Sequence, residues 1–171
     1  MRDIRLALDQ MLTVDYLIAN EDRHLYNFEV IRNAGTLEFL GSAPVFDSGC
    51  SLWYNSPTSR INLHIKNPDH NPLKCRPFRG KHKDQIKLAS DFNWLDLSSL
   101  EGIDNEFYEI AKDSEFIDVS RRDAICRGIA GRVKALEDIV MSQSAHIFLS
   151  NEQAETKDAV LEDEDGIRFS D

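Results

Sequence analysis

Apolar residues recur with helical spacing from the start of the chain. Ile4, Leu8, Met11 and Leu12 share a face, Asp15 falls on or near it, and Val14, Leu17 and Ile18 continue the stripe. This spacing predicts a buried helix over residues 2–18. A dense polar stretch follows at once, "NEDRHLYN", gripped between Ile18 and Phe28. It belongs in a tight loop at the C-terminal end of that helix. Next, "NFEVIR" and "TLEFLGSAPVF" flank the turn signal "NAG", which predicts a β-hairpin over residues 28–46 ending on "VFDSG". Residues 48–83 are rich in Ser, Asn, Pro and basic side chains and read as one long loop. A loop of that length inside a compact domain is usually functional or disordered.

Three helices are expected after it. "HKDQIKLASDF" is a short one. "NEFYEIAKDS" is the second, with Asp104 or Asn105 as its cap. The longest is "VSRRDAICRGIAGRVKALEDIVMSQ", in which Ile125, Ile129, Val133, Leu136 and Val140 keep the repeat and Asp118 or Ser120 stands at the start. The expected architecture is mainly α with a small β-hairpin. Residues 1–142 form the domain, and residues 143–171 an acidic, flexible tail. Trp53 and Trp94 are expected to be packing anchors.

Composition narrows the class. The 171 residues suffice for one domain with a real core, with 42% apolar and 29% charged residues. No apolar run approaches a membrane span, and the N-terminus has no signal-like apolar segment. Three cysteines without a CxxC pair suggest neither a disulfide framework nor zinc, and point to a reducing, cytoplasmic setting. His64, His70 and His82, with Asp69 and Cys75 nearby, fit no common zinc spacing. The net charge of −10 argues against direct nucleic-acid binding. More than half of it lies in residues 151–171, which hold eight acids against two bases. The basic stretch from Arg60 to Lys87 is either a grip for a substrate or acidic partner, or a solvated loop.

The chemistry concentrates at the two ends of the hairpin. Asp22 and Asn27 precede it, and Asp47 follows it with Gly49 just beyond. An Asp-x4-Asn pair alone is more often a turn or cap. A ribbon, however, brings its ends together, so two carboxylates and an amide oxygen meet. These are hard oxygen ligands of the kind Mg²⁺ takes alongside substrate phosphates. Phosphoryl transfer needs one carboxylate at the hydroxyl nucleophile and an Asn with a second Asp on the metal, in the order that protein kinases use.

"DYLIANEDRHLYNFEVI" followed by "APVFDSG" resembles the catalytic segment of HipA-family serine/threonine protein kinases. Asn20, Asp22, His24 and Asn27 meet the pattern N-x-D-x-H-x-x-N, and Pro44 and Asp47 meet the metal-binding strand end. "DRHLYN" is also similar to the loop of phosphoinositide-kinase-like enzymes. The resemblance implies a kinase C-lobe, with Asp22 as the catalytic Asp and Asn27 and Asp47 binding Mg²⁺ and, through it, ATP. His24 is carried over as a catalytic-loop residue that braces the loop. It further implies a protein substrate, and a toxin–antitoxin setting with an antitoxin-like partner. The N-lobe of such a kinase is expected to be absent from this sequence, which contains no GxGxxG, Walker A or V-A-I-K-like segment. A separate N-lobe is then an expected partner. The alternatives are a split or degenerate lobe acting as a binding or regulatory module, and a lipid or small-molecule kinase fragment.

Overall fold

The structure, a computed structural model, describes residues 4–164, and their side chains through residue 143 and at residue 145. The chain divides into two compact units, Met1–Leu136 and Glu137–Asp171. The second is helical throughout its described part.

The first unit is mainly helical with one small antiparallel ribbon. Helix α1 covers Ile4–Leu17, strands β1 and β2 cover Val30–Arg32 and Phe39–Ser42, and helix α2 covers Thr58–Lys66. Helix α3, His82–Gln85, runs into a 3-10 turn over Ile86–Leu88, and a second 3-10 turn covers Leu97–Leu100. Helix α4 spans Ile103–Ala111, and α5 begins at Val119. The register pairs Val30 with Ser42, Ile31 with Gly41 and Arg32 with Phe39, with an irregularity between Ile31 and Arg32. Asn33 builds the turn, its Oδ1 accepting from the amides of Gly35 and Thr36 at 2.8 and 3.0 Å. Among the described residues no helix is long and apolar enough to cross a membrane.

Four sequence expectations change. The stretch 48–83 is not one loop, because α2 lies within it. Its signals are punctuation rather than composition: Pro57 stands at the N-cap and Asn67 precedes Pro68, which ends the helix. The helix buries only Ile61, so its apolar stripe is thin. The "HKDQIKLASDF" helix is shorter than expected, one α-turn and one 3-10 turn. Helix α4 is capped by Gly102 in the left-handed region (φ +77°), not by Asp104 or Asn105. Asp104 and Glu106 sit instead in the first turn, where the positive end of the helix dipole favours them. The longest helix runs to Glu164 rather than to about 143. No Pro or Gly interrupts residues 144–164, so nothing in the backbone stops it. Residues 165–171 of the expected tail lie outside the described residues. Asp118 does cap α5, its carboxylate accepting from the Arg121 amide at 2.9 Å.

The core gathers Ala19, Trp53, Ile61, Ala124, Ile125 and Ile129 with Leu73. It joins the end of α1, the segment after the hairpin, α2 and α5. Trp53 is its anchor, 1% exposed, whereas Trp94 is only half-buried and donates from Nε1 to the Asp91 carbonyl. Arg121 holds the Trp53 turn from outside, donating to the carbonyls of Ser56 (2.6 Å) and Trp53 (2.7 Å). The indole lies flat against α5 only because residue 128 has no side chain. A Cβ there would fall 2.8 Å from Trp53 Cζ3. Gly128→Ala should therefore destabilise the protein by about 1–3 kcal/mol through overpacking. Gly131→Ala, at an exposed position with nothing within 4 Å, should stabilise it by up to about 1 kcal/mol through helix propensity. Denaturant midpoints of the two variants check the contrast.

Candidate functional site

The loop that carries Asp22 and Asn27 begins where α1 unwinds. Ala19 takes a left-handed φ of +55°, and the Asn20 amide turns back to the Asp15 carbonyl at 2.9 Å. The Asn20 side chain then locks the turn. Its Nδ2 donates to Asp15 Oδ1 at 2.8 Å, and its Oδ1 accepts from the Asp22 amide at 3.1 Å. Asp15 is thus a buried carboxylate on the helix's apolar face, 1% exposed.

Its partner is Arg23, which is fully buried. The guanidinium grips Asp15 bidentately, Nε to Oδ2 and Nη2 to Oδ1, both at 2.9 Å. Its remaining donors face away from α1. Nη1 donates to the carbonyl of Asn27 at 2.9 Å and also to that of Phe46, while Nη2 reaches Ser48 Oγ at 3.4 Å. One nitrogen therefore holds the backbone before the hairpin and the backbone after it. Two further bonds tie the same segments, Glu21 N–H to the Cys50 carbonyl (3.0 Å) and Leu52 N–H to that of Ile18 (2.8 Å).

The residues expected from sequence stand as follows. Asn27 is 4% exposed, and its Nδ2 donates to the Asp22 carbonyl at 3.1 Å, leaving Oδ1 as the free acceptor. Asp47 follows Phe46 directly, is exposed, and takes φ +54°. That conformation costs about 1–2 kcal/mol for most L-residues and less for Asp. Among the described residues its carboxylate has no hydrogen-bond or ion-pair partner. Asp22 lies on the open side and pairs with Arg76 at 3.2 Å, the two side chains 41% and 64% exposed. His24 is half-buried; its Nδ1 accepts from the Tyr26 amide at 3.3 Å and its ring meets that of Tyr26 edge-on. These contacts brace the loop.

Among the described residues no three His, Cys, Asp or Glu side chains gather to hold a metal. Asn27 Oδ1 and the Asp47 carboxylate are the two available oxygens. That donor set fits a Mg²⁺ ion, which keeps several waters and takes its other ligands from phosphates.

Behind the loop the interior is polar. Arg132 of α5 donates from Nε to the Tyr16 carbonyl, at the end of α1, and stacks 4.2 Å over the Tyr16 ring. Burial lowers its pKa to about 10. His82 hydrogen-bonds the Asn20 backbone; burial first, and Arg132 second, push its pKa down to about 2, so it stays neutral. Burial pushes the Cys75 thiol up to about 12, which leaves it unreactive. Burial also raises the Glu21 carboxyl, while Arg60, Lys74 and Arg132 pull it back.

Sequence reasoning passed over Arg23, Arg76 and Arg132. For Arg23 a signal was present: a carboxylate at position 15 on an apolar helical face demands a buried cation. For Arg76 and Arg132 there was none, since both meet the loop through tertiary contacts alone. Removing one partner of the central pair leaves a buried charge, so Asp15→Ala should cost about 3–5 kcal/mol. Replacing both, Asp15→Leu with Arg23→Met, should recover a good part of that loss. Urea unfolding of the three proteins checks it. No family model, no curated protein and no solved structure matches this chain, so the chemistry of the site rests on its own residues.

Proposed function

We propose that this chain is the catalytic lobe of a HipA-like serine/threonine protein kinase that transfers phosphoryl groups from Mg-ATP. The observation that carries the reading is the Arg23 clamp. It sets the backbone of Asn27 against that of Phe46, one residue before Asp47, and so gives a physical reason for the Asp-x4-Asn, hairpin, Asp order. In this reading Asp22, on the open side of the loop, orients the acceptor hydroxyl and takes its proton. Asn27 and Asp47 hold Mg²⁺, which when bound neutralises charge on the transferring phosphates. His24 and Asn20 keep the loop in register. Arg76 must release Asp22 as an acceptor enters, and the exposure of both side chains makes that exchange inexpensive.

A second reading, a binding or regulatory module, has its own support. The ribbon is exposed on both faces, with Ile31, Phe39 and Leu40 each about half exposed. Such side chains suit a partner surface. A lipid or small-molecule kinase would share the same metal and phosphate chemistry and differ only in its acceptor.

Positioning supplies most of the catalysis in phosphoryl transfer, and these 171 residues carry no glycine-rich loop or Walker A motif to hold the nucleotide. The chain alone should therefore transfer labelled phosphate negligibly and bind nucleotide weakly, and only with Mg²⁺. A nucleotide-covering lobe added in cis or in trans should restore transfer. In that reconstituted enzyme Asp22→Ala should lower transfer by about 10²–10⁴-fold while sparing nucleotide binding. Asp47→Ala should weaken Mg²⁺-dependent nucleotide binding as well, read by calorimetric titration. Robust turnover by the chain alone that survives Asp22→Ala overturns the assignment.

A further inference from the structure

Next to Asp22 lies a cleft of about 310 Å³, lined by Glu21 at the loop, by Ser56, Pro57 and Arg60 at the start of α2, and by Leu73 and Lys74 from the basic loop. We propose that this cleft binds an acidic stretch of the polypeptide whose Ser or Thr is phosphorylated, with Arg60 and Lys74 gripping its carboxylates. The proposal rests on the kinase reading above and names the substrate class of that same site.

Four observations support it. The first is charge. The cleft has two cations and one acid in a protein whose net charge is −10. Among the described residues neither Arg60 nor Lys74 is in an ion pair, and both are exposed. A cationic cleft in an acidic protein focuses the field there and selects anionic ligands. The second is the backbone. Helix α2 starts without a side-chain cap, since Pro57 offers none, and its first turn contains no acid. Its N-terminal amides face the cleft mouth as further anion donors. The third is position. Glu21 is the chain neighbour of Asp22, and Lys74 lies two residues from Arg76, the partner of the Asp22 carboxylate. A ligand in the cleft therefore presents its neighbouring residue to Asp22. The fourth is that the wall is fixed. The Gln85 side chain donates to the Arg76 carbonyl and accepts from the amides of Phe78 and Arg79 at 3.1 Å, and an isolated bridge pairs Lys74 with Lys81. The volume suits one or two side chains, at the small end of ligand pockets, which fits a peptide anchor.

The test is fluorescence anisotropy with the full chain and three labelled serine peptides of one length, flanked by Glu, Gln or Lys. The Glu peptide should bind best. Arg60→Ala and Lys74→Ala should each weaken it about tenfold, the worth of one charge-assisted contact. Glu21→Gln should tighten it by removing the one acid in the cleft. Lys87→Ala, an exposed base outside the cleft, should change nothing, and Asp22→Asn should leave binding in place. No preference for the Glu peptide, including no binding at all, overturns the proposal. So does an equal loss in Lys87→Ala, which would make the attraction nonspecific. So does full displacement by inorganic phosphate at the peptide's own affinity, which would make the ligand a small anion. Charge-selective binding without phosphate transfer in the reconstituted enzyme would instead count against the kinase reading alone. Equal transfer to all three peptides would count against the cleft alone.

Discussion

Arg23 has no water to turn to. It is fully buried, and its guanidinium is satisfied only by Asp15, by the carbonyls of Asn27 and Phe46 and by Ser48. A planar fork with donors on several edges can do this, and a lysine could not. The pair is not a net source of large stability, because two charges must leave water to form it. What it does is remove alternatives. Any shift of the loop, or of the segment after the hairpin, strands a buried charge. The short ribbon could not fix its own ends so well, since an isolated two-stranded hairpin is marginal in water.

The same logic continues behind the loop. The end of α1 leaves carbonyls without helical partners, and Arg132 reaches across from α5 to the one on Tyr16. His82 stays neutral there because a second cation beside Arg132 would be repelled and poorly hydrated. Asp9 plays a comparable part on the far side of α1, accepting from Ser90 Oγ and from the amides of Ser90 and Asp91. The polar interior thus works as a set of clamps on loops. The apolar core, with Trp53 seated on Gly128, locates the helices that carry the clamps.

This division has a consequence for the open face. The candidate groups Asp22, Asn27 and Asp47 need not hold one another. Their backbones are fixed from behind, which leaves the Asp47 carboxylate and Asn27 Oδ1 free for a ligand and leaves Asp22 paired only with the exposed Arg76. Rigid backbone with uncommitted side chains is the arrangement that preorganisation requires.

The local pattern by itself determined where α1, the hairpin, α4 and α5 lie, because each is written in spacing that neighbours enforce. It determined the candidate residues as well, since Asp22, Asn27 and Asp47 stand within one loop and one hairpin, and the cap at Asp118, which acts over three residues. It could not determine α2, whose one buried residue leaves almost no period to read, nor Gly102 as a cap, whose conformation carries no side-chain signal. The partners were beyond its reach for a different reason. Arg76 meets Asp22 across 54 positions and Arg132 meets Tyr16 across 116, and no local rule links residues so far apart. Which arginine became the clamp, which faced the catalytic loop and which closed the helix end were decided only when the chain packed and each buried donor had to find an acceptor.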